Sequence, residues 1–350
     1  MLQIKTLEDL KKEIGEYEAD TNDSMASQKT LDFAPGNGLH FTPDMAGGST
    51  RMAGIINDWS FTQICGRLNA PGAWLGDPDK CPEELKIDIL NQLASKYRDD
   101  TNLLIRMKGE VIRAILSSRY SKFDNMEFVD LVGDAVATMG EGMAPQIIRS
   151  QVGDELRSYV CFPQITLAPD PEKRDTGGLH PSLYISNSER GGGSAKVAGA
   201  VFRTVCSNGM IYGWRSEDTF EARHIFKSRA AMGLLVAEGI AEGLRLSEEA
   251  TDRFIKAQDI KIPQISLAGI VDNWVTKYGI SVEAKENWLA AISHETIENG
   301  RKNDTRLFDL VNSATYVAQT RRPDETELME RAAGDILSSY FLRTAQPVER

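Results

Sequence analysis

The sequence predicts an α+β protein: a central antiparallel sheet with one inserted helix, flanked by N- and C-terminal helical regions. Three observations point there. Apolar residues recur at helical spacing toward both ends of the chain. Short β-patterned segments separated by turn signals fill the middle. The 350 residues, 41% hydrophobic and 26% charged, are enough to build a sizeable core.

Residues 6–18 form a short charged helix in this reading, and the polar, glycine-bearing segment DFAPGNGLHFTPDMAGGST at 32–50 is loop or linker. Phe61, Ile64, Cys65 and Leu68 stand at i, i+3, i+4 and i+7 after Asp58, an N-cap residue type, and Asn69 and Pro71 stop that helix. Leu85, Ile89, Leu93 and Tyr97 mark a second helix. LLIRM and VIRAILSS, joined at Lys108-Gly109, are a hairpin. Asp124 or Asn125 then caps a helix to about Met139, which ends at Gly140-Glu141-Gly142. RSYVCFPQITL is a third strand with an edge or bulge at Pro163. LHPSLYIS and KVAGAVFRTVC are the fourth and fifth, and Asn208-Gly209 is a turn leading into IYGW. From Ala222 the pattern is helical almost to the end. The divisions expected are 1–54 (helix and polar linker), 55–260 (α+β core) and 261–350 (helical region).

Composition excludes several classes. No apolar run approaches the roughly 20 residues of a membrane helix, and the charged start MLQIKTLEDLKKEIGEYEAD is unlike a signal peptide. Cys65, Cys81, Cys161 and Cys206 are far apart with no CxxC pair, and the four histidines are equally scattered, so neither a disulfide framework nor a zinc knuckle is expected. The expected compartment is a reducing cytoplasm. No cofactor and no metal site is predicted. Asp170, Glu172 and Asp175 read as a solvated turn, and Glu238 and Glu242 as an exposed helix face.

The stretch NSERGGGSAKVAGAVFRTVCSNGM places three glycines before Lys196. A P-loop needs a glycine directly before its lysine and a helix after it. Here Ala195 precedes the lysine and a β-rich run follows, so the glycines belong to a hairpin loop. The stretch resembles the hallmark of a phage- and plasmid-related family known only as domain of unknown function 932. The matching positions are Asn187, Ser188, Arg203, Cys206, Asn208 and Gly209. WSFTQICGRLNAPGAWL is similar to that family's helix and Pro-containing turn. LLIRMKGEVIRAILSSRYSKFDN resembles its Arg-Ala-x-Leu-Ser-x-x-Tyr signature through Arg113, Ala114, Leu116, Ser117 and Tyr120. EARHIFKSR supplies Arg223 and His224, and LFDLVNSATYVAQTRR resembles a late segment, with Ser313 in place of the usual alanine. The resemblance spans roughly residues 55–335. Glu189 and Arg190 stand where relatives tend to carry His-Asp. The family implies a mobile-element origin and no particular reaction.

The net charge of −11 disfavours a simple DNA-coating protein, but the charge is uneven. The first hundred residues carry −7 and residues 231–350 carry −5, whereas 101–230 carry +1, with +3 over 101–125 and +4 over 190–230. Arg106, Lys108, Arg113, Arg119 and Lys122 fall on the predicted hairpin and its exit, Lys196 and Arg203 on the fifth strand, and Tyr120 lies among them. Arg113, Ser117 and Arg119 share one face in a period-2 strand, with Ile112, Ala114 and Leu116 on the other. Cations interleaved with aromatic rings suit single-stranded nucleic acid. The same pattern also arises on a sheet face whose arginines pair with nearby acids. The leading expectation is therefore a single-stranded-DNA-binding, homo-oligomeric protein of an annealing type, without catalytic residues. An interaction or assembly protein is the alternative, and a phosphate-handling hydrolase the third.

Overall fold

The computed structural model describes residues 4–44, 50–96, 102–140, 144–163, 179–203, 208–213, 220–222, 229–298, 300–301 and 304–345. The chain begins with α1 (Leu7–Glu18), where Thr6 and Asp9 form a reciprocal capping box. β1 (Thr21–Ser27), β2 (Asp32–Ala34), β3 (Gly38–Phe41) and β4 (Met52–Ile56) follow. Next come α2 (Asp58–Arg67), the single turn α3 (Gly72–Leu75) and α4 (Glu83–Lys96). The predicted hairpin is β5 (Asn102–Lys108) and β6 (Val111–Ser117), with Gly109 at φ 53° in its turn. α5 (Asn125–Ala137), capped by Asp124, leads to β7 (Gln146–Gln151), β8 (Glu155–Cys161), β9 (Leu179–Ser188), β10 (Ala195–Arg203), β11 (Asn208–Tyr212) and β12 (Phe220–Ala222). Among the described residues five helices follow: α6 (Arg229–Lys256), α7 (Gln264–Tyr278), α8 (Val282–Glu298), α9 (Leu307–Ala318) and α10 (Pro323–Ala345).

The class is α+β with antiparallel sheets and helical terminal regions, but the described residues form two sheets instead of one. The first has the order β1-β5-β6-β4-β3-β2 and is antiparallel except for the β4–β6 pair. The second runs β11-β10-β9-β8-β7, antiparallel throughout, with β12 alongside the start of β10. The segment expected to be linker holds β2 and β3, and β1 lies in what was expected to be helix and linker. These strands (TNDSMAS, DFA, GLHF) carry few β-branched residues, so propensity does not reveal them. They are held by pairing, β1 along the whole of β5 and β3 against β4. Asn208-Gly209 is a second correction: the two residues are not a turn but open β11, opposite Arg203 and Phe202. Pro163 lies beyond the end of β8. In α4 the buried residues are Leu90 and Ala94, and Leu85 is exposed. Tyr97 and the 170–175 carboxylates lie outside the described residues.

Each sheet has a helix-covered face. α2, α3 and α4 cover the first sheet, burying Phe33, Phe41, Ile64, Leu68, Ile105 and Ile115. α1, α5 and the first half of α6 cover one face of the second, around Phe128, Val132, Leu156, Val160 and Ile185. α10 lies on its opposite face near Tyr159, Tyr184, Phe202 and Ile211. Glycines set two close approaches. A Cβ on Gly199 of β10 would stand 2.7 Å from the Gly243 carbonyl of α6, and one on Gly334 of α10 would stand 1.9 Å from the Ile211 carbonyl of β11. The remaining helices pack among themselves around the fully buried Trp288, whose indole N–H donates to the Leu310 carbonyl at 3.0 Å. Among the described residues, no helix is long and apolar enough to cross a membrane.

Replacing Gly334 by alanine forces α10 off β11, with an expected loss of about 1–3 kcal/mol or more. Gly269 is the opposite case. It is exposed within α7, with nothing within 4 Å of an added Cβ, and alanine there should add about 0.5–1 kcal/mol. Urea melts of the two variants test this packing.

Candidate functional site

Two polar regions stand out, and the sequence motif Asn187–Gly193 takes part in both. The first joins the two sheets. The register of β5 and β6 shifts between Arg106 and Met107, which leaves Arg113 without a Cα partner. This bulge breaks the expected two-residue alternation. Ile112 and Ile115 now face the helices, whereas Leu104, Ala114 and Leu116 form a separate cluster. Arg106 and Arg113 enter the junction, each 2% exposed. Arg106 donates twice to the Asp23 carboxylate, at 2.9 and 3.1 Å, and once to the Glu189 backbone carbonyl at 2.8 Å. Its Nη2 also lies 2.8 Å from Asp124 Oδ1, a charge contact without hydrogen-bond alignment. Arg113 Nη1 donates to Glu189 Oε2 at 2.7 Å and Asp154 Oδ1 at 2.9 Å, and Tyr17 donates to the same Asp154 oxygen.

The loop after β9 completes the junction. Asn187 donates to the Phe123 carbonyl and to Asn125 Oδ1, which ties β9 to the start of α5. The Asn125 backbone N–H in turn donates to Glu189 Oε1 at 2.8 Å. Tyr120 donates to the Ser188 carbonyl, and Gly192 N–H to the Ser188 hydroxyl. The Arg190 carbonyl accepts from Trp59 and Gln63 of α2, while its guanidinium lies 4.6 Å over the Trp59 ring and donates to Glu155. Gly191 has φ 74°, and a Cβ there would meet Leu116 at 2.7 Å.

The expected nucleic-acid residues therefore separate. Arg106 and Arg113 are spent on internal carboxylates and do not present charge to a phosphate, which corrects the hairpin-face expectation for them. Arg203 is 4% exposed, 3.2 Å from Asn312 Oδ1 and over the Phe308 ring, so it too is internal. Tyr120 is hydrogen-bonded within the junction, and Lys108 donates to Asp20 and the Tyr17 carbonyl. Lys122 is half-exposed, 2.9 Å from Asp23. Arg119 is exposed and Lys196 lines a groove. Of the motif residues, Asn187 and Ser188 are junction residues, and Asn208 and Gly209 are strand. Cys206, Arg223 and His224 lie outside the described residues, as does Trp214.

The second region is the α10-facing side of the second sheet. The cross-strand register places Gln151, Arg157, Ser186, Lys196 and Glu221 in one row and Arg149, Tyr159, Tyr184 and Ala198 in the next. The first turns of α10 supply Glu327, Glu330 and Arg331 opposite them. Between sheet and helix lie a cavity of about 390 Å³ and a second of about 240 Å³, which share Arg157 and Glu327 and so form one groove. Its floor is built by hydrogen bonds. Tyr159 donates to Glu330 Oε2 at 2.5 Å, Arg149 to Glu330 Oε1 at 2.5 Å, and Tyr184 to Glu327 Oε2 at 2.9 Å. Burial pushes the Glu330 carboxyl up against the opposing pull of Arg149. It also drives both phenols well above the usual tyrosine range, so they remain donors. Arg157 bridges Glu155, Asp324 and Glu327 at 2.6, 2.7 and 3.0 Å. The sequence reading missed Arg149, Arg157 and Arg331. The two-residue spacing of Arg157 and Tyr159, repeated by Tyr184 and Ser186, is the signal that marks this face.

The family described as Domain of unknown function (DUF932) matches residues 114–323, from β6 to the first residue of α10. The chain belongs to that family. The matched span takes in the second sheet, the Gly191–Gly193 loop and α5 to α9. The segment WSFTQICGRLNAPGAWL, part of α2 and α3, lies before it. No curated protein and no solved structure matches the chain.

Two measurements probe the junction. Arg113→Met leaves Glu189 buried without its guanidinium, and breaking such a pair costs about 3–5 kcal/mol, so the variant should unfold at markedly lower urea. Glu18, beside Glu189 and Asp124, is pushed up to about 7 from an ordinary 4.5, first by burial and then by the negative charge of Glu189. The fold therefore binds this proton more tightly than the unfolded chain. The associated stability is complete below about pH 4.5 and is lost as pH rises through about 7. Glu18→Gln should raise Tm at pH 8 and flatten its decline between pH 5 and pH 7.5 (roughly the titration window).

Proposed function

We propose that the protein binds single-stranded nucleic acid along the groove between the second sheet and α10, as a non-catalytic component of phage or plasmid DNA metabolism in the cytoplasm. One observation carries the reading. Arg157 and Lys196 stand in the same cross-strand row, two strands apart (about 10 Å), and open into a groove also lined by Arg149, Arg321 and Arg331. Cations spaced along a track neutralise successive phosphates without reading sequence. Carboxylates pair with these cations: Glu155, Asp324 and Glu327 with Arg157, Glu221 with Lys196, Glu330 with Arg149, Glu283 with Arg321 and Glu327 with Arg331. The groove carries no local excess of positive charge, and a phosphate binds by displacing such pairs. Binding is therefore modest and depends on a few phosphate contacts.

A second reading, association with other protein chains including copies of itself, is supported by Ile265 and Val282. These are 96% and 71% exposed at the starts of α7 and α8.

Fluorescence anisotropy with labelled single-stranded and duplex DNA over a salt series separates the two readings. About three phosphate contacts give a log–log salt slope near −2 on single strands. Lys196→Ala should weaken binding and reduce that slope by about 0.7, while Arg119→Ala, outside the groove, leaves both unchanged. Absence of single-strand binding at low salt overturns the proposal and favours the association reading.

A further inference from the structure

We infer that two exposed carboxylates, Asp324 and Glu283, form an acidic clasp that holds the places of two strand phosphates on Arg157 and Arg321, and that a strand binds by displacing them. The inference rests on the strand-binding reading and adds to it an autoinhibitory contact.

An asymmetry of exposure marks the clasp. Arg157 and Arg321 both line the groove, and their side chains are only 19% and 11% exposed. Asp324 Oδ1 lies 2.7 Å from Arg157 Nη2, and Glu283 Oε1 lies 2.8 Å from Arg321 Nη1. These two carboxylates are 82% and 77% exposed. A carboxylate that keeps most of its hydration contributes little to an ion pair and gives it up at small cost. The other carboxylates on the groove cations are held by further partners. Glu155 accepts from Arg190, Glu221 from Ser194, Glu327 from Tyr184 and Glu330 from Tyr159. Among the described residues, Asp324 and Glu283 have no such second partner.

Both acids stand in the first turn of a helix, Asp324 in α10 and Glu283 in α8. The two helix starts are joined where the Ser281 N–H donates to Glu325 Oε1 at 3.0 Å. α10 does not swing away as a body, because Arg149 and Tyr159 hold Glu330 and Gly334 lies against the Ile211 carbonyl. Opening the clasp is therefore a motion of side chains. A phosphate that replaces either carboxylate offers the guanidinium a pair of charged oxygens in the geometry its fork prefers. The present pairing of Arg321 is incomplete, since its Nε is buried without an acceptor.

The test compares three chains by anisotropy with labelled oligothymidylate over a salt series: the wild type, Asp324→Asn combined with Glu283→Gln, and a charge-matched control. The control, Asp88→Asn combined with Asp134→Asn, removes the same charge from exposed positions on α4 and α5, away from the groove. Melting curves verify the fold of each. Opening the clasp should tighten binding about tenfold. It should also steepen the log–log salt slope, by at most about 0.7 for each arginine released. The control should change affinity less than about twofold, as expected of distant, screened charges, and leave the slope alone. Binding by the clasp variant alone, with none by the wild type, also supports the clasp. A clasp variant indistinguishable from the control overturns it and leaves the strand-binding reading intact. Failure of all three chains to bind at low salt overturns both.

Discussion

Arg106 and Arg113 are buried together beside a single residue, Glu189, one on its backbone carbonyl and the other on its carboxylate. A buried guanidinium is tolerated only where charge and hydrogen bonds replace its lost water. Here the replacements come from four segments: Asp23 on β1, Asp124 before α5, Asp154 before β8 and Glu189 after β9. The two sheets share no strand, yet this cluster fixes how the hairpin of one meets the loop of the other. Asn125 N–H on Glu189 and Asn187 on Asn125 carry the same constraint into α5. α5 in turn covers the second sheet.

That constraint gives a physical account of the stretch Asn187–Gly193. Its side chains and carbonyls are held by Phe123, Asn125, Tyr120, Trp59, Gln63 and Arg113, and its glycine at 191 passes against Leu116 with no room for a Cβ. The loop connects the junction on one side with the groove on the other. Gly192 and Gly193 border the smaller cavity, three and four residues after the arginine-bound Glu189. The geometry of the groove is thus coupled to the sheet junction, and Glu155 and Ser188 belong to both regions.

Much of the architecture was legible in sequence. Helical spacing identified α2, and Lys108-Gly109 located the β5–β6 turn because a glycine at positive φ ends an apolar run there. The strands β8, β9 and β10 are rich in valine, isoleucine and aromatics and announced themselves. β1 to β3 did not, since short polar strands are stabilised by partners that are distant in sequence. The faces of β6 were misassigned for a similar reason. One bulged residue reverses the alternation, and no local pattern signals it.

The sequence by itself determined the α+β class, the loop nature of the triple glycine and the family, because these follow from local propensity, turn chemistry and motif spacing. Only the tertiary structure decided which cations face solvent. An arginine's role depends on whether carboxylates from other segments converge on it, as Asp23, Asp154 and Glu189 do on Arg106 and Arg113. Lys196 also has a carboxylate partner, Glu221 at 3.7 Å, but its cross-strand row lines the groove beneath α10. Convergence of this kind is a property of the assembled chain, and charge counted along the sequence does not contain it.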